Sequence, residues 1–337
     1  MDYLYHFTGA GNNFVVLDGR GADMAAFRDE ACIRALCSRY HTDGLMILDT
    51  DPELDFSMEF YNPDGSGGMM CGNGGRCIAA FADYLGIPSL DDIYHFRAPD
   101  GLHMAELLSR PSLTEGKPAE CSTGPENSCW QVRLQMKDVQ VITPMLGGYF
   151  LDTGTRHFVK FVPQVSELDM EVEAKPIRWA QEFAPVGANV NLVEVAPDGL
   201  HVRTYEKGVE GETLACGTGL TASAIAAWFA GVPGLGTGVC PAGSSVPAAG
   251  SAAVSSPNLS VPAGGDSAVS SANSSVPDAG DAAVLPSSPS GQVTYRLQCR
   301  RGDWLQVEFV PTGPESVTDV FLTGPAELLR ITEIPQY

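Results

Sequence analysis

Cys71-Gly72-Asn73-Gly74-Gly75-Arg76-Cys77-Ile78-Ala79-Ala80-Phe81 stands in the first half of the chain, and Cys216-Gly217-Thr218-Gly219-Leu220-Thr221-Ala222-Ser223-Ala224-Ile225 in the second. Each is a glycine-rich turn that starts on a cysteine and runs into small, apolar residues. Upstream lie Tyr61-Asn62-Pro63-Asp64-Gly65-Ser66 and Tyr205-Glu206-Lys207-Gly208, with Asn62 nine residues before Cys71 and Glu206 ten before Cys216. A fainter echo precedes both: Gly11-Asn12-Asn13-Phe14-Val15-Val16 against Gly154-Thr155-Arg156-His157-Phe158-Val159. A unit present twice predicts two similar domains about a pseudo-twofold axis, with the two cysteine turns facing each other across a cleft.

Residues 15–17, 45–48, 58–60, 190–195 and 202–205 read as short strands. The runs 77–85 and 220–230 are small and apolar nearly all round, and Gly86 with Pro88, and Gly231 with Pro233, close them. A helix that is apolar on every face is buried. The expected fold is therefore α/β of the α+β type, with two similar pseudo-twofold domains, each a curved, mainly antiparallel sheet wrapped around a central helix. Each cysteine then sits at a helix N-terminus, where free N–H groups and the helix dipole favour a thiolate or a bound carboxylate.

Composition bounds the function. The 337 residues carry 20 Lys+Arg against 41 Asp+Glu, a net charge of −21, which argues against nucleic acid and against an anionic membrane surface as partners. Nine scattered cysteines in a chain of this length do not form a disulfide framework. The start, Met1 to His6, lacks the basic and apolar regions of a signal peptide, and the longest low-polarity run, 220–232, is too short to span a bilayer. A cytoplasmic protein with reduced thiols is expected. Residues 235–291 differ from the rest: they hold no aromatic residue and no Lys or Arg, and Ser-Val-Pro recurs every 15 residues from Ser245 through Ser260 to Ser275. Such small side chains cannot offset the entropy of ordering the backbone, so a disordered surface insertion is expected, with a partner-binding tether as the alternative.

Two thiols across one cleft suit inversion of a tetrahedral carbon. One thiolate removes the proton from one face, and the opposite thiol returns one to the other. Paired helix N-termini would stabilise the carbanion through the substrate carboxylate, and neither pyridoxal phosphate nor a metal is required. The glycines beside each cysteine let backbone N–H groups come close. Other readings fit less well. Neither turn has the phosphate-binding Gly-Lys-Ser/Thr ending or the dinucleotide spacing. Cys71 and Cys77 lack zinc-knuckle spacing, and no Cys-x-x-Cys occurs. Cys32, Cys37, Cys77, Cys121, Cys129 and Cys299 read as core hydrophobes, Cys240 falls in the insertion, and His41, His95 and His103 are ordinary surface or core residues.

These motifs, with Glu212-Thr213-Leu214-Ala215-Cys216, Gly187-Ala188-Asn189-Val190 and the closing Leu322-Thr323-Gly324-Pro325-Ala326, resemble the diaminopimelate epimerases, two-cysteine enzymes of lysine and cell-wall biosynthesis. The resemblance spans nearly everything outside the insertion. It implies a cofactor-free epimerase that turns LL-2,6-diaminopimelate into the meso form and acts on its small amino-acid substrate as a homodimer. Cys71 and Cys216 would be the acid/base pair. Asn12, Asn62, Asn73 and Asn189 would hold the substrate, with Gly72, Gly217 and Thr218 as further donors, and His157 and Glu206 would tune the thiols. The expected division is 1–118, with 325–337 packing back on it, and 119–324.

The chain departs from the family pattern mainly at the substrate rim. Thr155 replaces an amide and Lys207 an arginine, which keeps the charge but loses the two-pronged grip on a carboxylate. Asn13 stands where an aspartate is common, and His41-Thr42 replace a glycine-rich loop. Thr155 and Lys207, with Glu206, complete the expected substrate contacts. Two alternatives stay open: another amino acid or small acid as substrate on the same fold, as in proline racemases and phenazine-biosynthesis isomerases, or a silent binding protein that has kept the cleft. Asn73, where proline racemases carry a histidine, disfavours the first of these.

Overall fold

The computed structural model describes residues 3–68, 70–111, 129–234 and 291–335. The insertion 235–291 (apart from Gly291), the boundary at 118/119, Cys121 and Cys240 lie outside the described residues.

The first half runs β1 (Tyr3–Gly9), β2 (Asn12–Asp18), α1 (Glu30–Tyr40), β3 (Gly44–Asp49), β4 (Phe56–Tyr61), α2 (Gly72–Tyr84), β5 (Ile93–Ala98), β6 (Gly101–Ser109) and β7 (Trp130–Gln135). Strands β8 (Thr143–Met145), β9 (Gly148–Asp152) and β10 (Arg156–Phe161) follow, then the short helices α3 (Met170–Glu173) and α4 (Lys175–Arg178). The chain continues through β11 (Asn189–Ala196), β12 (Gly199–Glu206), β13 (Gly211–Thr213), α5 (Gly217–Phe229), β14 (Val293–Gln298), β15 (Trp304–Pro311) and β16 (Val317–Glu333).

The duplication is visible in the strand pairing. In the first half β2 and β3 are parallel, β3 and β4 antiparallel, and β4 and β5 parallel. In the second half β10 and β11, β11 and β12, and β12 and β14 repeat that pattern. A parallel pair needs a crossover. The crossover between β4 and β5 carries α2, and the one between β12 and β14 carries α5. Among the described residues the other strand pairings are antiparallel, in keeping with a mainly antiparallel sheet.

Strand β3 shows why the central strands are apolar on both faces. Leu45 and Ile47 pack with Ile33, Leu36 and Cys37 of α1 on one side, while Met46 and Leu48 join the core around α2 on the other. Helix α2 is buried from Gly72 through Ala82, and α5 is buried at every position from Gly217 through Trp228 except Thr218. Both helices end alike. Gly86 and Gly231 turn with φ of +69° and +78°, and the next N–H, of Ile87 or Val232, closes back on Ala82 or Ala227.

The two sheets are not separate. One 17-residue strand, β16, pairs in turn with β15 (317–323), β7 (321–326) and β1 (327–333), so a single hydrogen-bonded path of strands joins both halves. No sequence pattern announces a strand that changes partner twice. Among the described residues no helix is long and apolar enough to cross a membrane.

Candidate active site

Cys71 and Cys216 are the N-caps of α2 and α5, both with extended backbone. The helices begin at the glycines themselves, five residues (α2) and three residues (α5) earlier than the apolar runs alone suggest. Their first residues meet. A Cβ on Gly217 would lie 3.2 Å from the Gly72 Cα, and one on Gly72 would lie 3.5 Å from the Gly217 Cα. Leu322 of β16 packs under both, its Cδ2 being 3.1 Å from either Cβ position. Only glycine permits this approach. The positive ends of two buried helices, each capped by a cysteine, thus share one junction.

Around α2, Asn73 donates through Nδ2 to Asn12 Oδ1, and its own Oδ1 accepts from Arg76 Nη2 at 2.8 Å. Cys71 Sγ accepts the Gly74 N–H at 3.2 Å. Around α5 the network is richer. Thr218 Oγ1 lies 3.4 Å from Cys216 Sγ and 2.9 Å from His157 Nε2. His157 Nδ1 lies 3.0 Å from Asn191 Oδ1, which makes it the protonated nitrogen and leaves Nε2 an acceptor for the Thr218 or Thr155 hydroxyl. Thr155 Oγ1 is 3.1 Å from Thr218 Oγ1. Asn12 with Asn73, and Thr155 with Thr218, are therefore equivalent pairs in the two halves.

Asn189 Oδ1 accepts the Lys207 N–H at 2.8 Å, and its Nδ2 donates to the Arg156 carbonyl at 3.2 Å. The half-buried Glu206 ends β12, beside Lys207. Asn62 stands apart: its Nδ2 donates to Ser66 Oγ at 3.0 Å within its own turn, and no hydrogen bond links it to the other candidates.

The sequence reading expects helix N-termini to favour thiolates, but burial outweighs them. It pushes the Cys71 thiol up, against the pull of the Gly74 N–H and Arg76, while Glu206 adds to the rise. Burial pushes Cys216 well up, and the charge of Glu206 pushes it further. Burial likewise raises the Glu206 carboxyl and lowers His157 to about 4, so the imidazole is neutral at pH 7. The Thr218 hydroxyl bridges Cys216 Sγ and His157 Nε2.

A cavity of about 460 Å³ adjoins the junction on the Thr155 side, lined in part by Gly72, Thr155, Thr218, Met70 and His103. Neither cysteine lines it. Among the described residues no group of His, Cys, Asp or Glu is arranged to hold a metal ion. Sequence reasoning missed Asn191, a fully buried polar residue between the buried Val190 and Leu192, and Arg76, the lone cation of α2. Those contrasts with their neighbours were the available signals.

A family model described as diaminopimelate epimerase matches residues 4–108 and 149–234. The chain belongs to the diaminopimelate epimerase family. It is 39% identical over 227 residues to the diaminopimelate epimerase of Flavobacterium psychrophilum, covering 66% of this chain and 80% of that protein. It is 38% identical over 224 residues to that of Chlorobaculum tepidum, covering 65% and 80%. A phenazine biosynthesis protein of the PhzF family from Bacillus anthracis shares the fold, with a TM-score of 0.60, 9% identity and 99% of each chain covered. As a member of this family the chain is an isomerase.

Proposed function

We propose that the protein epimerises LL-2,6-diaminopimelate to meso-diaminopimelate by a cofactor-free, two-base mechanism with Cys71 and Cys216 as the bases. The reaction would serve lysine and peptidoglycan precursor synthesis, in a cytoplasmic homodimer. The observation that carries the mechanism is the pair of cysteine-capped helices in contact at Gly72 and Gly217.

The substrate α-carboxylate sits at the paired helix ends, where the N–H groups of Gly72, Asn73, Gly217 and Thr218 have no intrahelical acceptor. Asn12 is held with its oxygen toward Asn73, which turns its amide N–H toward the substrate. One cysteine thiolate takes the Cα proton and becomes a thiol. The electron pair left on Cα delocalises into the carboxylate, and the helix ends stabilise that charge. The other cysteine gives its proton to the opposite face and becomes the thiolate. The enzyme is left with its two protonation states exchanged, and Glu206 and His157 (through Thr218) return the proton to its starting side. Lys207, Asn189, Asn62 and Thr155 contact the distal end, where Lys207 supplies charge without a bidentate grip.

Incubating the purified full chain with LL-diaminopimelate, and separately with L-proline, and following stereochemistry tests this reading. Inversion of the first alone supports it; inversion of proline, or of neither, overturns it.

A further inference from the structure

Arg76 is the fifth residue of α2 and is fully buried. Its Nη1 donates to the Gly72 carbonyl at 3.1 Å, Nη2 to Asn73 Oδ1 at 2.8 Å and Nε to the Pro325 carbonyl at 3.4 Å. All three acceptors are neutral. The titratable groups that face it are Cys71 and Cys77 of its own helix, Cys299 after β14, and more weakly Asp303, which pairs with Arg301. A guanidinium keeps its charge at any working pH. Burying a cation without an anion costs several kcal/mol. Its place at the positive end of α2, against the start of α5, adds to that cost.

The duplication shows that the hydrogen bond alone does not require a charge. Thr221 occupies the matching position, five residues after Cys216, and its hydroxyl donates to the Gly217 carbonyl at 3.0 Å. The second copy thus makes the equivalent helix bond with a neutral group. What Arg76 adds is a positive charge on the Cys71 side only. The fold makes room for it: a Cβ on Gly324 of β16 would stand 3.2 Å from Arg76 Nε. Being a donor only, Arg76 also fixes the Asn73 amide, and through it the Asn12 amide. The anions that can reach this junction are the Cys71 thiolate and a bound carboxylate.

We propose that Arg76 is a positioning residue: it is the built-in counter-cation of the cleft and makes Cys71 the more acidic of the two thiols in the free protein. This rests on the two-thiol reading above. Glu206 acts on both sulfurs in the opposite sense, and it ranks higher among the influences on Cys216 than among those on Cys71. When one of the two sulfurs ionises, the thiolate therefore belongs to Cys71, and Cys216 keeps its proton. A carboxylate entering the junction meets the same guanidinium through Asn73 and Asn12.

The test is iodoacetamide alkylation of the substrate-free full chain across pH 6 to 10, with Cys71 and Cys216 quantified separately by peptide mass spectrometry. Comparing the midpoints of the pH profiles removes the difference in access between the two sulfurs. In the wild type the Cys71 midpoint lies below that of Cys216. In Arg76→Met it rises by about one unit, a tenfold loss of thiolate at fixed pH below the midpoint, while Cys216 moves less and Arg76→Lys recovers most of the shift. An unchanged Cys71 midpoint in folded Arg76→Met overturns the proposal. So does a wild-type Cys216 midpoint at or below that of Cys71, which stands as the test if Arg76→Met fails to fold. The assay needs no turnover. A chain inactive on LL-diaminopimelate that still shows Cys71 as the more acidic thiol refutes the proposed reaction and leaves the role of Arg76 standing.

Discussion

Gly217→Ala tests whether contact between the two helix ends positions the chemistry. The new Cβ would stand 3.2 Å from the Gly72 Cα and 3.1 Å from Leu322 Cδ2. Leu322 can rotate, but Gly72 is backbone at the start of a buried helix. Ordinary carbon contacts of roughly 3.5–4.0 Å require a separation of about 0.3–0.8 Å. Overpacking of this kind costs about 1–3 kcal/mol, and the better helix propensity of alanine returns up to about 1 kcal/mol. The net loss of about 1–2 kcal/mol lowers the melting temperature by roughly 2–8 °C. A misplacement of about 1 Å can cost 10²-fold in rate, so a shift of half that size should lower kcat about tenfold, with KM changing less. Calorimetry and a coupled LL-diaminopimelate assay read both effects. Gly211→Ala, whose Cβ would meet nothing within 4 Å, is the stability control. A Gly217→Ala protein with wild-type melting temperature and kcat would refute the argument that the glycine contact sets the geometry.

Three further outcomes are expected. Cys71→Ala and Cys216→Ala each abolish epimerisation, while Cys77→Ala, at a fully buried thiol, retains activity and loses about 1–2 kcal/mol of stability by urea melt. His6 and His157 are buried and lowered to about 4 in the fold. Between pH 6.5 and 4 the unfolded chain therefore binds more protons, and stability falls as the pH falls. From pH 7 to 5 each costs about 2 kcal/mol; His6→Gln should remove its share of that slope, and an unchanged slope would count against a neutral buried imidazole. Deleting residues 238–290 should leave melting temperature and kcat within error, because Tyr295 Oη donates to the Val232 carbonyl and so holds the two flanks together. A large loss of either would show that the segment is structural.

The two central helices and their cysteine caps were legible because the chain states them twice, and one copy checks the other. Helix α1 was not read, since three buried positions, Ile33, Leu36 and Cys37, give a weak stripe beside its exposed polar face. The stitching role of β16 was hidden because partner changes within a strand leave no periodic trace. At the site, residue types in turns were readable and their partners were not. Asn191 and Arg76 owe their importance to what they touch across the fold, which spacing does not report. The thiol expectation weighed the helix ends and left out burial and the Glu206 charge, which both push the two thiols up.

The two-base claim is tested most directly by the early fate of deuterium. LL-diaminopimelate is turned over in heavy water and stopped before about a tenth of conversion, and both pools are examined by mass spectrometry and NMR. With thiols on opposite faces, the far thiol delivers a solvent-equilibrated deuteron, while the abstracting thiol holds the original hydrogen and can return it unexchanged. The account predicts product deuterated at the inverted carbon alone, with the remaining substrate largely unlabelled. Equal early labelling of substrate and product would contradict it.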